Sequence, residues 1–247
     1  MYKRRTLMRN LLNSYTMTDY DKGWSKWLDC EVYGPTLRHQ RRNIKKLLNG
    51  LEYNSILDIG CGSGDHLHEI LKLNNVDKIC MADISKEALS RAKNLIPKAD
   101  CVQIDIEKGS IGNKFDLVLC CDVLEHISDD KAALRNIRKM AHKYLVVSTL
   151  SGKMRESEKH VGHVRNYALD GLLDKLSEAG FKPLKIIKWG FPFYSPLYRN
   201  LWDKVPQKVN DGKFGWFRKF CANTLYFIFM LNSTSKGDYL FILSESV

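Results

Sequence analysis

Ile56-Leu57-Asp58-Ile59-Gly60-Cys61-Gly62-Ser63-Gly64-Asp65 decides how the rest of the chain is read. Ile56, Leu57 and Ile59 suit a buried strand, and beyond the turn Leu67, Ile70 and Leu71 fall on one face of a helix. Between them, three glycines let the backbone approach a ligand closely and adopt torsions that side chains disfavour. A helix start behind such a turn presents N–H groups with no intrahelical partner and the positive end of the helix dipole. The stretch therefore predicts a ligand cradle at the carboxyl end of a parallel strand.

A dinucleotide fingerprint would read Gly-x-Gly-x-x-Gly, with an acid about 20 residues further on. Here the glycines are 60, 62 and 64, and Asp65 stands where that pattern wants its third glycine. Asp58 lies inside the strand, two residues before Gly60. An acid so close to the turn suits a cationic ligand better than a diphosphate. The arrangement Asp-x-Gly-x-Gly-x-Gly resembles the first motif of the class I S-adenosylmethionine-dependent methyltransferases. That resemblance implies S-adenosyl-L-methionine as cofactor, cradled by Asp58, Gly60, Cys61, Gly62 and Gly64.

The 247 residues are enough for one α/β domain with a decoration. No stretch reaches the ~18 apolar residues of a spanning helix. The basic start, Met1-Tyr2-Lys3-Arg4-Arg5, is not followed by an apolar secretory core. Seven cysteines lack paired spacing, and Cys80, Cys120 and Cys121 sit in apolar strand-like runs, as reduced thiols of a cytoplasmic protein would. No Cys/His cluster has zinc spacing. The net charge of +11 fits nucleic acid, an anionic substrate, a membrane surface or simply a solvated basic exterior.

Along the chain, residues 1–23 read as a polar arm that could fold over the cofactor, followed by Trp24 and Trp27. Pro35 suits the first turn of a helix from about Thr36 to Asn49, closed by Gly50. Its apolar face is Leu37, Ile44, Leu47 and Leu48; the other carries Arg38, His39, Arg41, Arg42, Lys45 and Lys46, either solvated or facing an anion. Residues 78–85 read as strand two, with Asp83 at its end and Ser85 as the N-cap of a helix bearing Ala88, Leu89, Ala92, Leu95 and Ile96. Residues 100–106 read as strand three and 115–121 as strand four; Ser128 caps the next helix, whose buried row is Leu134, Ile137 and Met140. Residues 143–150 are strand five. Asp170 opens a helix that stops at Gly180, and Phe181–Trp189 is strand six.

This alternation predicts a parallel sheet with helices on both faces. Further motifs extend the family likeness over roughly 50–185, and loosely over 237–247. Phe115-Asp116-x-Val118 followed by Leu124-Glu125-His126 resembles the family's fourth motif, and Gly162-His163-Val164-Arg165-x-Tyr167 through Ala179-Gly180-Phe181 resembles its small-molecule branch. The implied fold is a doubly wound, seven-stranded, mostly parallel, Rossmann-like α/β sheet whose last strand, 237–243, returns antiparallel between strands five and six. In that fold Asp83 and Ile84 would hold the ribose, Asp105 and Ile106 the adenine, and the carbonyls near Cys121 the ligand's ammonium. Asp83 as an N-cap and Asp105 as a turn acid stand as the plainer alternatives.

The division expected is an arm or lid over 1–50, a cofactor domain over 51–189 and 237–247, and a cap over 190–236. That last stretch is long and aromatic for a connection between adjacent strands. Phe214, Trp216 and Phe217 beside Lys213, Arg218 and Lys219 would suit either a core-packing cap or a peripheral membrane contact. Methyl transfer to oxygen or nitrogen often needs a base with a pKa near the working pH, which makes His126 and His163 the candidate catalytic residues, with Arg165 and Tyr167 orienting the acceptor. Ser148-Thr149-Leu150 lacks the acids of a metal-assisted site, so no metal is expected. The expected partner is a small acceptor such as a sugar, lipid or secondary metabolite, anionic or lipid-linked. RNA or protein as acceptor, and a non-catalytic cofactor-binding module, are the rivals.

Overall fold

The computed structural model describes Trp24, residues 29–205, Val209 and residues 211–247. The arm expected over 1–23, and Trp27, lie outside the described residues. Seven strands form one sheet: β1 (Ser55–Ile59), β2 (Lys78–Asp83), β3 (Asp100–Gln103), β4 (Phe115–Cys121), β5 (Ala141–Leu150), β6 (Phe181–Trp189) and β7 (Tyr239–Ser246). Their order is β3-β2-β1-β4-β5-β7-β6. Strands β1 to β5 pair in parallel, and β7 runs antiparallel to both neighbours, with Val147 opposite Ile242 and Ile186 opposite the same residue. The sheet expected from the sequence is the sheet found.

The central strands are buried on both faces, so they read as unbroken apolar runs. Along β4, Leu117 and Leu119 enter one core layer, while Val118 and Cys120 enter the other. Helices α1 (Pro35–Leu48), α2 (Asp65–Ile70), α3 (Lys86–Leu95) and the later α6 (Trp216–Phe229) cover the first face, through residues such as Ile44, Leu67, Ala92 and Phe229. Helices α4 (Asp130–Met140) and α5 (Leu169–Glu178) cover the second, with Leu134, Ile137, Met140 and Leu172 buried.

Local chemistry sets the element ends, with some departures from expectation. Ser85 caps α3, its Oγ accepting from Ala88 N at 3.1 Å. Ser128 does not cap α4; Asp129 does, with Oδ1 accepting from Ala132 N at 2.9 Å, because a carboxylate also satisfies the helix dipole. Strand β3 stops at Gln103, so Asp105 belongs to the following turn. Leu95 at the end of α3 is exposed, and Ile96 beyond it takes the buried place. On α1 the supposed polar face is divided. His39 is buried with its ring 4.9 Å from that of Trp189, and Arg41 is also buried, leaving Arg38, Arg42, Lys45 and Lys46 outward.

Leu117 is wholly buried at the centre of this sheet. Leu117→Ala is expected to cost about 2–5 kcal/mol through lost burial and a residual cavity. Urea unfolding should show the midpoint falling with the slope unchanged; an unmoved midpoint would contradict the packing described.

Candidate active site

Strand order reverses between β1 and β4, the place where an open parallel sheet leaves a crevice at its carboxyl edge. The glycine turn closes β1 there. Gly60 N and Cys61 N both donate to Ala82 O of β2, at 2.7 and 3.1 Å. Gly62 takes φ +53°, and a Cβ on it would lie 2.3 Å from Cη2 of Trp24. The indole of Trp24 thus lies against the bare backbone of the turn, where only glycine leaves room.

Asp83 at the end of β2 is buried, and its carboxylate grips the turn from the side. Oδ2 accepts from Gly62 N and Oδ1 from Ser85 N, both at 2.9 Å. Ile84, half-buried beside it, has its carbonyl bonded by Gln103 Nε2 at 3.0 Å. Asp105 bonds its own turn through Glu107 N at 3.1 Å and pairs with Lys108 at 2.6 Å. Lys108 is largely exposed, and a solvent-screened pair of this kind is weak, so a ligand could displace it at little cost. Ile106 is buried in the second core layer, with its carbonyl accepting from Asn136 Nδ2 at 2.9 Å.

Asp58 is buried, and its Oδ2 has no hydrogen-bond partner among the described residues. Burial, with Asp83 nearby, pushes its carboxyl up to about 8. Arg41 brings the opposite charge. It is buried, its Nη1 makes no hydrogen bond among the described residues, and it lies in the field of Glu31, Asp65 and Glu69. A buried acid and a buried guanidinium, each with an unused polar atom beside a glycine turn, fit a ligand carrying both an ammonium and a carboxylate.

Cys121 ends β4, and burial holds its thiol well above the usual range. The next residue, Asp122, escaped the sequence reading and is the hub of this edge. Its φ of +57° is the sole positive value at a non-glycine among the described residues, a torsion for which Asp is enriched. Its carboxylate accepts from Gln40 Nε2 at 2.6 Å, Tyr239 OH at 2.5 Å and Ser148 Oγ at 3.2 Å. Gln40 also meets His66 Nε2 through Oε1 at 2.9 Å and contacts the Tyr239 hydroxyl. Burial pushes Asp122 up to about 6 and holds His66 down at about 3.

The two candidate histidines come together, with His126 and His163 rings edge to face at 4.7 Å between centroids. Burial, with His163 beside it, holds His126 down at about 4, and burial also lowers His163. Both are therefore neutral at neutral pH. His163, and not His126, lines a cavity of about 460 Å³ beneath the 190–236 segment. Its walls are mostly apolar, including Leu37, Tyr198, Trp202 and Leu225, with Glu158 and Arg199 as a polar floor. Arg199 Nη2 meets Glu158 Oε1 at 2.6 Å, and both side chains are buried. Arg165 and Tyr167 do not reach this cavity: Tyr167 OH donates to Asp130 Oδ2 at 2.6 Å and Arg165 Nη2 to Ser128 O at 2.8 Å, so they brace the loop instead of orienting an acceptor. Glu125 is completely buried, and burial raises its carboxyl well above the ordinary range. Arg41, Gln40, Glu158 and Arg199 carried no motif; Asp122 was legible only as the residue after the strand.

Residues 57–143 match the family model of a methyltransferase domain. An arginine-hydroxylase of Danio rerio, the mitochondrial NDUFAF5, is 28% identical over 184 residues, 66% of this chain and 56% of that protein. A ubiquinone biosynthesis O-methyltransferase of Aliivibrio fischeri is 31% identical over 126 residues, 47% of this chain and 53% of that protein. The chain thus spans about half the length of these curated relatives. A magnesium protoporphyrin IX methyltransferase from Synechocystis, solved with S-adenosylhomocysteine bound, superposes with a TM-score of 0.56 at 14% identity, over 89% of this chain and 86% of that one. At that identity the likeness is one of fold.

Asp58 provides a direct check on this electrostatic account. Its folded-state pKa is raised, so its neutral form stabilises the fold fully below the unfolded value near 4, and that contribution is lost as pH rises through about 8. Asp58→Asn removes the titration. The variant's urea midpoint should therefore fall less than the wild type's between these limits; parallel profiles would mean that Asp58 ionises normally.

Proposed function

We propose that this chain, which belongs by its fold and its methyltransferase domain to the class I S-adenosylmethionine-dependent methyltransferases, transfers a methyl group from S-adenosyl-L-methionine to an oxygen or nitrogen of a small molecule. The observation that carries the reading is the Asp83 carboxylate bonded to Gly62 N, which sets an acid against a backbone turn at the switch point of the sheet. An acid so held is suited to a ribose diol. Asp58 would face the ammonium of the cofactor, Arg41 its carboxylate, and Asp105 with Ile106 the adenine; Trp24 would close over the turn.

When bound, the cofactor supplies an electrophilic methyl group on a sulfonium. The chain's own residues do the rest. The cavity under residues 190–236, which act as a cap, holds the acceptor, and its apolar lining excludes water and favours a partly apolar molecule. His163, neutral and on the wall, is placed to accept the proton that an acceptor hydroxyl or amine gives up. His126 supports it, ring edge to ring face. The O-methyltransferase among the relatives supports oxygen as the acceptor atom. Seven free thiols support a reducing, cytoplasmic setting.

Calorimetry with S-adenosylhomocysteine tests the assignment. Replacing Asp83 by Ala removes charge-assisted hydrogen bonds worth about 1.5–3 kcal/mol each, so affinity should drop at least about tenfold. Unchanged affinity in a folded variant would remove the ribose assignment, and no heat with the wild type would remove the reading altogether. His163→Ala should leave that affinity within about twofold while lowering kcat by about a hundredfold.

A further inference from the structure

Helix α6 has two unlike faces. Inward, Ala222 and Phe229 are buried and Leu225 lines the cavity. Outward, Trp216, Phe220 and Phe227 are 80, 62 and 64% exposed. At about 100° per residue these three lie within about 40° of one another, so they form one stripe along the helix. Leu231, just past its end, extends the stripe at 70% exposure. Aromatic side chains aligned this way on a surface mark a contact site, since scattered single residues would not share a direction.

The surroundings of the stripe are basic. Arg38 of α1 donates from Nη1 to Asn223 Oδ1 at 2.8 Å and lies 3.7 Å above the Tyr226 ring, which ties the outward face of α1 to α6. That face opens a groove of about 970 Å³ whose wall carries Arg38, Arg41, Arg42, Lys45 and Lys46 against two acids, Asp65 and Glu69. Lys45 is paired with Glu69 at 2.7 Å; Arg42 and Lys46 are in no ion pair among the described residues. Lys213 precedes α6 and is exposed. No helix of the described residues is long and apolar enough to cross a membrane. Aromatic side chains on one face with lysines and arginines beside them are the composition of a helix that lies in a membrane interface.

We propose that the α6 stripe, with the basic face of α1 beside it, docks on the surface of an anionic lipid bilayer. Trp216, Phe220 and Phe227 enter the boundary between head groups and acyl chains, where large aromatic rings sit favourably. Arg42 and Lys46 meet the anionic head groups. Phe217 is both 62% exposed and part of the cavity wall, so the docked face adjoins the cavity. An acceptor with an apolar tail would then pass from bilayer to cavity without crossing water; that consequence, unlike the docking, rests on the methyl-transfer reading.

Flotation of the full chain with vesicles tests the docking. Binding to phosphatidylcholine mixed with phosphatidylglycerol should exceed binding to phosphatidylcholine alone by at least about tenfold. The triple variant Trp216→Ser, Phe220→Ser, Phe227→Ser should lose at least about tenfold on the mixed vesicles. Arg42→Glu with Lys46→Glu should abolish the preference for anionic lipid. Each variant is checked for an unchanged melting temperature and unchanged S-adenosylhomocysteine affinity. The proposal is overturned if the wild type stays unbound on mixed vesicles, or if the triple variant floats as well as the wild type. It is equally overturned if the wild type sediments as a dimer that the triple variant dissolves, since a second copy would then cover the stripe. Vesicle binding without any heat from S-adenosylhomocysteine would uphold the docking and remove the methyl-transfer reading.

Discussion

The bonds from Gly62 N and Ser85 N to the Asp83 carboxylate hold the site together. The first joins the turn that closes β1 to the end of β2, 21 residues apart in the chain, and the second fixes the carboxylate from its own strand end. Without them a glycine-rich turn would sample many conformations, because glycine loses more freedom on ordering than any other residue. The acid thereby serves two ends. It fixes the turn, and under the proposed methyl transfer the same carboxylate would take the sugar diol. A structural role and a binding role for Asp83 are therefore not rivals in this fold, and its side chain need not cap α3, since Ser85 does so.

Burial governs the charge state of this region. Asp58, Asp122 and Glu125 are pushed towards the neutral acid, while His66 and His126 are held as neutral imidazoles. At neutral pH Asp58, His66 and His126 are then largely uncharged, whereas Asp122, raised only to about 6, stays mostly ionised. Under the proposed methyl transfer, the cofactor's ammonium would give Asp58 an opposite charge to face. Removing one partner from a buried ion pair typically costs about 3–5 kcal/mol, which is why Glu158 and Arg199 at the cavity floor come as a pair with further support. Asn166 Nδ2 and Arg155 N hold the second oxygen of Glu158 at 2.9 and 3.0 Å.

What the sequence reveals follows from range. Glycine spacing, short apolar runs and helix caps act over a few residues, so the strands, the turn and Asp83 could be read directly. The seven-stranded order followed from the family likeness to the motifs at 56–64, 115–126 and 162–181. The error at Ser128 was a slip within one turn of a helix, where neighbouring polar residues compete for a single place. The Asp122 hub is another matter. Its partners Gln40 and Tyr239 are 199 residues apart, and nothing local in either sequence neighbourhood marks them. Arg41 misled for a related reason: amphipathic patterning places it on the polar face, yet its guanidinium turns back to Val32, with Nη2 donating to Val32 O at 3.4 Å, and is buried while Arg38, Arg42, Lys45 and Lys46 stay outward.

The 190–236 segment shows how one insertion can serve two surfaces. Tyr194, Phe229 and Trp189 lock it to the sheet through stacked and edge-on rings, with Tyr194 4.8 Å from Trp189 and 5.7 Å from Phe229. Of these, Tyr194 also lines the cavity, and this inner anchoring does not use the outward residues of α6. Exposing Trp216, Phe220 and Phe227 to water forgoes burial worth about 1.5–3 kcal/mol for each large side chain. A cap required only for packing would gain by turning such residues inward or replacing them with polar ones, as Asn223 and Thr224 are on the same helix. Aromatic rings retained on the outer face, above a cavity that is itself apolar, therefore point to a surrounding that is apolar as well.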